Sequence, residues 1–344
     1  MPGKAGQGWL GRLLRVLLPL GISAVAIWLV LRSIDLSALL AAFQSIRLST
    51  LIWSCLIFIV GLLLRVWSWH LILRKQFPFK RVFFVMNAGY LLNNVFPFRL
   101  GEVGRVILLG SHEEGKPGIL EVLSSIMVER IFDIFLASAF FLSMLPLVLV
   151  EGQARWLALI LLGLAVLALG ALIAMTHFRE KIVGWLKGFQ GRRAWVANWV
   201  APKLDAILKG FSVLNDPKLF LASFGLLFFS WVLSMAQHTL LRLELMPQGE
   251  LWWVVFVLAA GAFGGALPSA PAGLGVFEAA IVGAFLLLGV DGSSALAYAL
   301  IIHAIQFSFS SLFGMIGLIK EGQSVGELYR KAIQRKQATK EVVP

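Results

Sequence analysis

Eight charged side chains stand in stretches that are otherwise apolar: Arg65, Arg99, Glu102, Arg105, Glu129, Arg130, Asp133 and Glu278. Inside a bilayer each costs at least ~2.5 to 3.5 kcal/mol by insertion scales, so each must face a partner or water. Glu129 and Asp133 are spaced i, i+4 and share one helix face, with Arg130 to the side. About ten residues into a helix, they lie roughly 15 Å deep. Such a pair can bind a cation or a proton, or hold Arg65 or Arg99 in place. The guanidinium groups of Arg99 and Arg105, with Arg65 as a third, have the planar donor geometry that suits a phosphate. His303 and Gln306 stand at the matching depth in the second half of the chain, and His238 corresponds loosely to Arg65. The simpler reading of a lone histidine in a span is a helix-to-helix hydrogen bond.

Two chain breaks position these groups. The first runs from Asn93 to Glu102 and carries Pro97 and Gly101; the second runs from Gly264 to Glu278 and carries Pro268, Pro271, Gly273 and Gly275. Backbone groups freed inside a bilayer cost several kcal/mol each unless protein or a water-filled cavity satisfies them, so both breaks must line the protein interior. Each starts a new helix whose N-terminus suits an anion. Glu102 and Glu278 fall in the first turns of those helices, where a carboxylate also satisfies the helix dipole. Glu278 is expected to face Arg99 and Arg105.

With 59% hydrophobic and 14% charged residues, and its Lys and Arg clustered between apolar runs, the chain reads as a polytopic membrane protein. A large soluble core would need charges along every helix. The net charge of +12 reports membrane orientation and anionic lipid, and no nucleic-acid module is visible. Cys55 is the single cysteine, which excludes an internal disulfide and a cysteine metal cluster. Lys4, Arg12 and Arg15 before an apolar run imitate a signal peptide, but Ile27 to Leu31 continue the run, so an uncleaved first span is expected.

Run length and breakers place spans at 13 to 31, 49 to 72, 119 to 150, 155 to 176, 217 to 241 and 294 to 319. The fold class expected is all-α: about six full transmembrane helices plus two broken or re-entrant helical hairpins. The hairpins pair 82 to 96 with 101 to 110 and 251 to 267 with 273 to 290. Lys and Arg concentrate in the N-terminus, between Arg74 and Arg81, from Arg179 to Lys218, and from Lys320 onward. If those segments are cytoplasmic, as are both termini, each hairpin must return to the side it left. Residues 13–150 and 155–319 then form an inverted repeat within one membrane domain spanning 1–344. Residues 177–216 read as a basic amphipathic insertion on the inner leaflet, with Trp185, Trp195 and Trp199 toward the membrane and Arg192 and Arg193 among its cations. Residues 320–344 read as a cytoplasmic tail.

Enzyme signatures are missing: no Ser/His/Asp spacing, HExxH or phosphate loop occurs, and no metal or cofactor is expected. Gly261 and Gly265 form a GxxxG that reads as close helix packing.

Three motifs, FPFRLGEVGRVILL from Phe96, VERIFD from Val128 and ALPSAPAGLGVFEAA from Ala266, resemble in order and separation the flippase-like transmembrane domain of bacterial lysylphosphatidylglycerol synthases. The resemblance covers about 13 to 320. It implies a helical protein of the bacterial inner (plasma) membrane with lipid-translocating activity, and it carries functional weight onto Arg99, Gly101, Glu102, Arg105, Glu129, Arg130, Asp133, Pro268, Pro271, Gly273, Gly275 and Glu278. The soluble aminoacyl-transferring domain of the full synthases has no counterpart before Pro344, so the stand-alone form is expected and the head group stays open. The function expected is a flippase or translocation facilitator for a phosphate-bearing lipid. A membrane enzyme using Glu129 and Asp133, or a scaffold for a soluble lipid-modifying partner, stands as the alternative. Expected partners are anionic membrane lipids and a lipid-modifying enzyme, with a homo-oligomer left open.

Overall fold

The computed structural model describes residues 20–32, 34–96, 99–110, 118–148, 152–189, 195–267, 269–328 and 330. Among them five helices are long and apolar enough to cross a bilayer: α3 (Leu48–Ile72), α6 (Ile119–Val148), α7 (Gly152–His177, apolar from Leu159), α10 (Pro217–Leu245) and α13 (Gly292–Lys320). A sixth is reached if α1 (Leu20–Leu31) and α2 (Leu36–Ser45) count as one span, although they meet at 87°. The expected first span therefore ends in a bend, with a short helix that run length did not announce. Its cause is local: the Asp35 carboxylate accepts from the backbone N–H groups of Ser37 and Ala38 and so starts a new helix. Asp216 caps α10 in the same way, with Pro217 in the first turn, and Asp291 caps α13 through the Ser294 N–H.

Two shorter pairs complete the membrane part. The helix α4 (Phe79–Val95) leads through the first break into α5 (Gly101–Leu109), and α11 (Leu251–Ala266) leads through the second into α12 (Val276–Leu287). The main packing pairs are α3 along α10, α4 along α13 and α11 along α6, while α4 folds back on α5 as α11 does on α12. Two apolar clusters follow. One gathers Val66, Trp69, Val85 and Phe132; the other gathers Phe256, Ile281, Phe285 and Tyr298. Large apolar side chains such as Trp53, Leu167 and Phe229 are exposed on the outside of the spans, as a lipid solvent allows.

Between α7 and α10 lie α8 (Arg179–Lys187), a π-helical turn (Val196–Val200) and α9 (Ala201–Gly210). Here Arg179 Nε donates to Asp205 Oδ1 at 2.8 Å, and the ammonium of Lys203 stands 3.2 Å from the Trp199 ring centroid. Trp185, Trp195 and Trp199 are exposed. Arg192 and Arg193, together with residues 331–344 of the expected tail, lie outside the described residues.

Candidate functional site

The first break turns on two backbone features. Arg99 has φ 51°, in the left-handed region, which reverses the chain between α4 and α5. At Gly101 the chain passes so close to α4 that a Cβ would stand 2.0 Å from the Gly89 carbonyl oxygen, so no larger residue fits. The Gly101 N–H, freed at the helix start, donates to Asn93 Oδ1 at 2.7 Å. In the second break Ala272, Gly273 and Gly275 have φ of 61°, 79° and 85°. There Ala270 N–H donates to Ser23 Oγ on α1 at 2.8 Å, so the first helix braces this break. Pro97 and Pro268, expected to shape the breaks, lie outside the described residues, while Pro271 opens a short 3₁₀ turn with Gly273.

The charged residues of the first half converge. Arg65 on α3 donates to Asp133 Oδ2 at 2.6 Å and stands 3.8 Å from Glu129. Arg105 on α5 donates to Glu129 Oε2 at 2.5 Å, both side chains being fully buried, and its guanidinium stacks 3.7 Å from the Trp69 ring centroid. Trp69 is fixed in turn by donating to Ser125 Oγ at 3.1 Å. Arg130 donates to Glu102 at 2.8 Å and lies 3.9 Å from Asp133. The remaining Asp133 oxygen accepts from the indole of Trp231, on α10, at 3.1 Å. The two carboxylates on one face of α6 thus hold Arg65, as their spacing allows, and join four helices. Trp69 and Trp231 were not singled out from the sequence. The available signal was an indole N–H inside a span, which usually finds an acceptor when buried.

Arg99 differs from its neighbours. It is exposed, it donates to the Ala266 carbonyl at 3.2 Å, and among the described residues no carboxylate forms an ion pair with it. Four guanidinium groups meet three carboxylates, so one positive charge remains.

Glu278 does not face Arg99 or Arg105, contrary to the expectation from sequence. It accepts from the Gly275 N–H at the start of its own helix at 2.7 Å, and its other oxygen shares a hydrogen bond with His303 Nδ1 on α13. The reason is helix rotation: packing of α12 on α13 buries Glu278 against its neighbour, away from the opposite break. His238 likewise makes a helix-to-helix bond, 2.6 Å from Nδ1 to the Tyr298 hydroxyl. Gly261 and Gly265 both meet α12 as close packing predicts, although the tightest contact in that helix belongs to Gly264.

A cavity of about 420 Å³ lies between the breaks. From the first half it is lined by Arg65, Arg99, Arg130 and Asp133; from the second by His238, His303 and Gln306. Glu102, Arg105, Glu129 and Glu278 stand behind this wall rather than in it, holding the residues that form it. Arginines from the first half, polar side chains from both halves such as Asn94 and Gln306, and apolar side chains such as Phe263 and Phe307 line one chamber, which can take an anionic group attached to an apolar body.

The family model described as the lysylphosphatidylglycerol synthase TM region matches residues 16–314. No curated protein matches the chain.

Proposed function

The chain belongs to the lysylphosphatidylglycerol synthase TM-region family and is a multi-pass membrane protein, and on that premise we propose that it moves a phosphate-bearing lipid between leaflets. The observation carrying this reading is Arg99, a cation without a carboxylate partner among the described residues, standing on a cavity beside Arg65 and Arg130. A phosphate entering there supplies the missing negative charge, while the acyl tails stay against the exposed apolar flanks of the spans.

The architecture supports a rocking mechanism. At 17 and 16 residues, α4 and α11 reach about 25 Å, short of the ~30 Å hydrocarbon core, which supports pairs that return rather than cross. The pairing of α4 with α13 is matched by that of α11 with α6, and α3 packs on its own counterpart α10. That matching supports the reading of an inverted repeat around the cavity, which in this proposal has both termini on the cytoplasmic face of the inner membrane. No step in this reading is enzymatic: Glu129 and Asp133 are held by arginines and act as fixed counter-charges. Any modification of the lipid falls to a partner enzyme.

The test is reconstitution into liposomes with fluorescent phospholipids and a membrane-impermeant quencher. Wild-type protein should raise leaflet exchange above protein-free vesicles, and Arg99→Gln should lower it at least about tenfold, since a charge-assisted hydrogen bond to phosphate is worth about 1.5 to 3 kcal/mol. Equal rates for wild type, Arg99→Gln and empty vesicles reject the function.

A further inference from the structure

Around the cavity three carboxylates are held by arginines: Asp133 by Arg65, Glu129 by Arg105 and Glu102 by Arg130. Glu278 is the fourth, and among the described residues its partners are the Gly275 N–H and His303, neither of them a fixed cation. An ionised carboxylate taken out of water is costly unless it is paired, so the protonation of His303 decides whether Glu278 is compensated. With His303 neutral, the guanidinium groups of Arg65, Arg99, Arg105 and Arg130 stand against these four carboxylates, and the surroundings of the cavity carry no net charge. A phosphate diester that settles on Arg99 adds one negative charge and leaves Glu278 as the unbalanced group. One proton on His303 restores neutrality.

The geometry allows that proton to arrive. His303 turns Nδ1 to Glu278, and its ring lies edge-on to Phe277 with centroids 5.0 Å apart, so its orientation is fixed. The side chain lines the cavity and keeps 11% of its surface exposed, and Nε2 has no hydrogen-bond partner among the described residues. His238 differs, because its Nε2 is enclosed. In the neutral ring Nδ1–H donates to the carboxylate and Nε2 is an acceptor; once protonated, Nε2–H is a charged donor at the cavity wall. The elements packed on α13 bring few other ionisable groups to this space: Tyr90 on α4, Arg65 on α3 and His238 on α10, with none on α2. Arg99, Arg130 and Asp133 complete the wall. A carboxylate and a histidine joined inside the membrane part and open to a cavity have the make-up of a proton-carrying site.

We infer that the Glu278 and His303 pair takes up one proton when the lipid phosphate binds, so that phosphate and proton cross together as a neutral pair. The inference rests on the reading of the cavity as a lipid site. The proton comes from water at the cavity wall, sits on His303 and leaves with the phosphate; no covalent bond is made or broken in the lipid. Binding is reciprocal: phosphate favours the proton on His303, and the proton favours phosphate.

The experiment is calorimetric titration of short-chain phosphatidylglycerol into the purified full chain in detergent, repeated in buffers of different ionisation enthalpy, which counts the protons taken up per lipid bound. At pH 7.5 the wild type should take up at least about half a proton per lipid, and its affinity should fall as pH rises from 6 to 8, by up to about tenfold per unit. His303→Gln keeps a donor for Glu278 but cannot take a proton, so uptake should vanish and binding at pH 6 should weaken at least about tenfold. Glu278→Gln removes the charge that the proton balances, so it should bind without uptake and with an affinity that stays level from pH 6 to 8. A folding defect would weaken both variants alike, whereas the charge balance weakens only His303→Gln. No uptake by the wild type, or undiminished uptake by His303→Gln, overturns the inference while the transport function stands. No binding of the lipid by the wild type overturns both.

Discussion

Glu278 and His303 are hydrogen-bonded across α12 and α13, at the point where the second break becomes helix again. The other oxygen of Glu278 accepts the Gly275 N–H, so one carboxylate closes a helix N-terminus and ties it to the next span. Replacing Glu278 with Ala should strand the buried Gly275 N–H and free His303 together, lowering stability by about 1 to 3 kcal/mol. Glu278→Gln keeps an acceptor for the N–H and should lose less. Thermal unfolding in detergent separates the two. Equal melting temperatures for Ala and wild type would sink this role.

The Arg105 and Glu129 pair is fully buried, and breaking such a pair from one side leaves an uncompensated charge costing about 3 to 5 kcal/mol. Arg105→Met should therefore abolish or sharply reduce accumulation of folded protein. Arg105→Met combined with Glu129→Gln removes both charges and should recover part of the loss. Folded yield by size-exclusion chromatography, compared across the two singles and the double, reads the coupling. Additive losses would mean the two side chains act independently.

Arg99→Gln makes the opposite prediction. Its guanidinium is exposed and bonds to a single carbonyl, so the variant should melt within about 1 kcal/mol of wild type. It should nevertheless lose lipid movement. A variant that is both unstable and inactive would assign Arg99 to the scaffold.

Gly101→Ala should be among the most damaging small substitutions in the chain. A methyl 2.0 Å from the Gly89 carbonyl forces α5 away from α4, an overpacking strain of about 1 to 3 kcal/mol or more. The shift would also carry Arg99 off the cavity wall. The measurement is a melting curve beside the exchange assay, and an unchanged curve would show that the two helices separate without cost.

The long spans were legible because run length and charge are direct consequences of a bilayer solvent, and the five observed helices start and end close to the expected limits. The existence of a buried charged cluster was equally legible from the cost of placing Arg65, Glu129 and Asp133 in apolar sequence. What the spacing could not supply was pairing. The i, i+4 rule puts Glu129 and Asp133 on one face but does not say which arginine arrives there, and it says nothing of how α12 is rotated against α13. Glu278 was therefore assigned to the wrong partner, His303 being only a weak candidate. The bend after α1 escaped for a different reason: the capping geometry of Asp35 exists only once the chain turns.

Outside the spans, Asp205 offers a pH test of the basic insertion. The hydrogen bond from Arg179 holds its carboxyl below the ordinary carboxylate range of about 3.9. A folded-state value below the unfolded one means the contact contributes stability above that range and loses it as pH falls through the folded value. The docking of α8 on α9 should accordingly be unchanged from pH 8 to 5 and loosen only at strongly acid pH. Asp205→Asn should bring the loosened state to neutral pH. Because the pair is substantially exposed, the effect should be small and salt-sensitive, and it is best read locally, by hydrogen exchange of residues 179–187 and 201–210. Faster exchange there in Asp205→Asn at pH 7, with α3 and α10 unaffected, is the expected result. Unchanged exchange would place the anchoring of the insertion in contacts such as Lys209 with Glu121, which ties α9 to α6 at 2.6 Å instead.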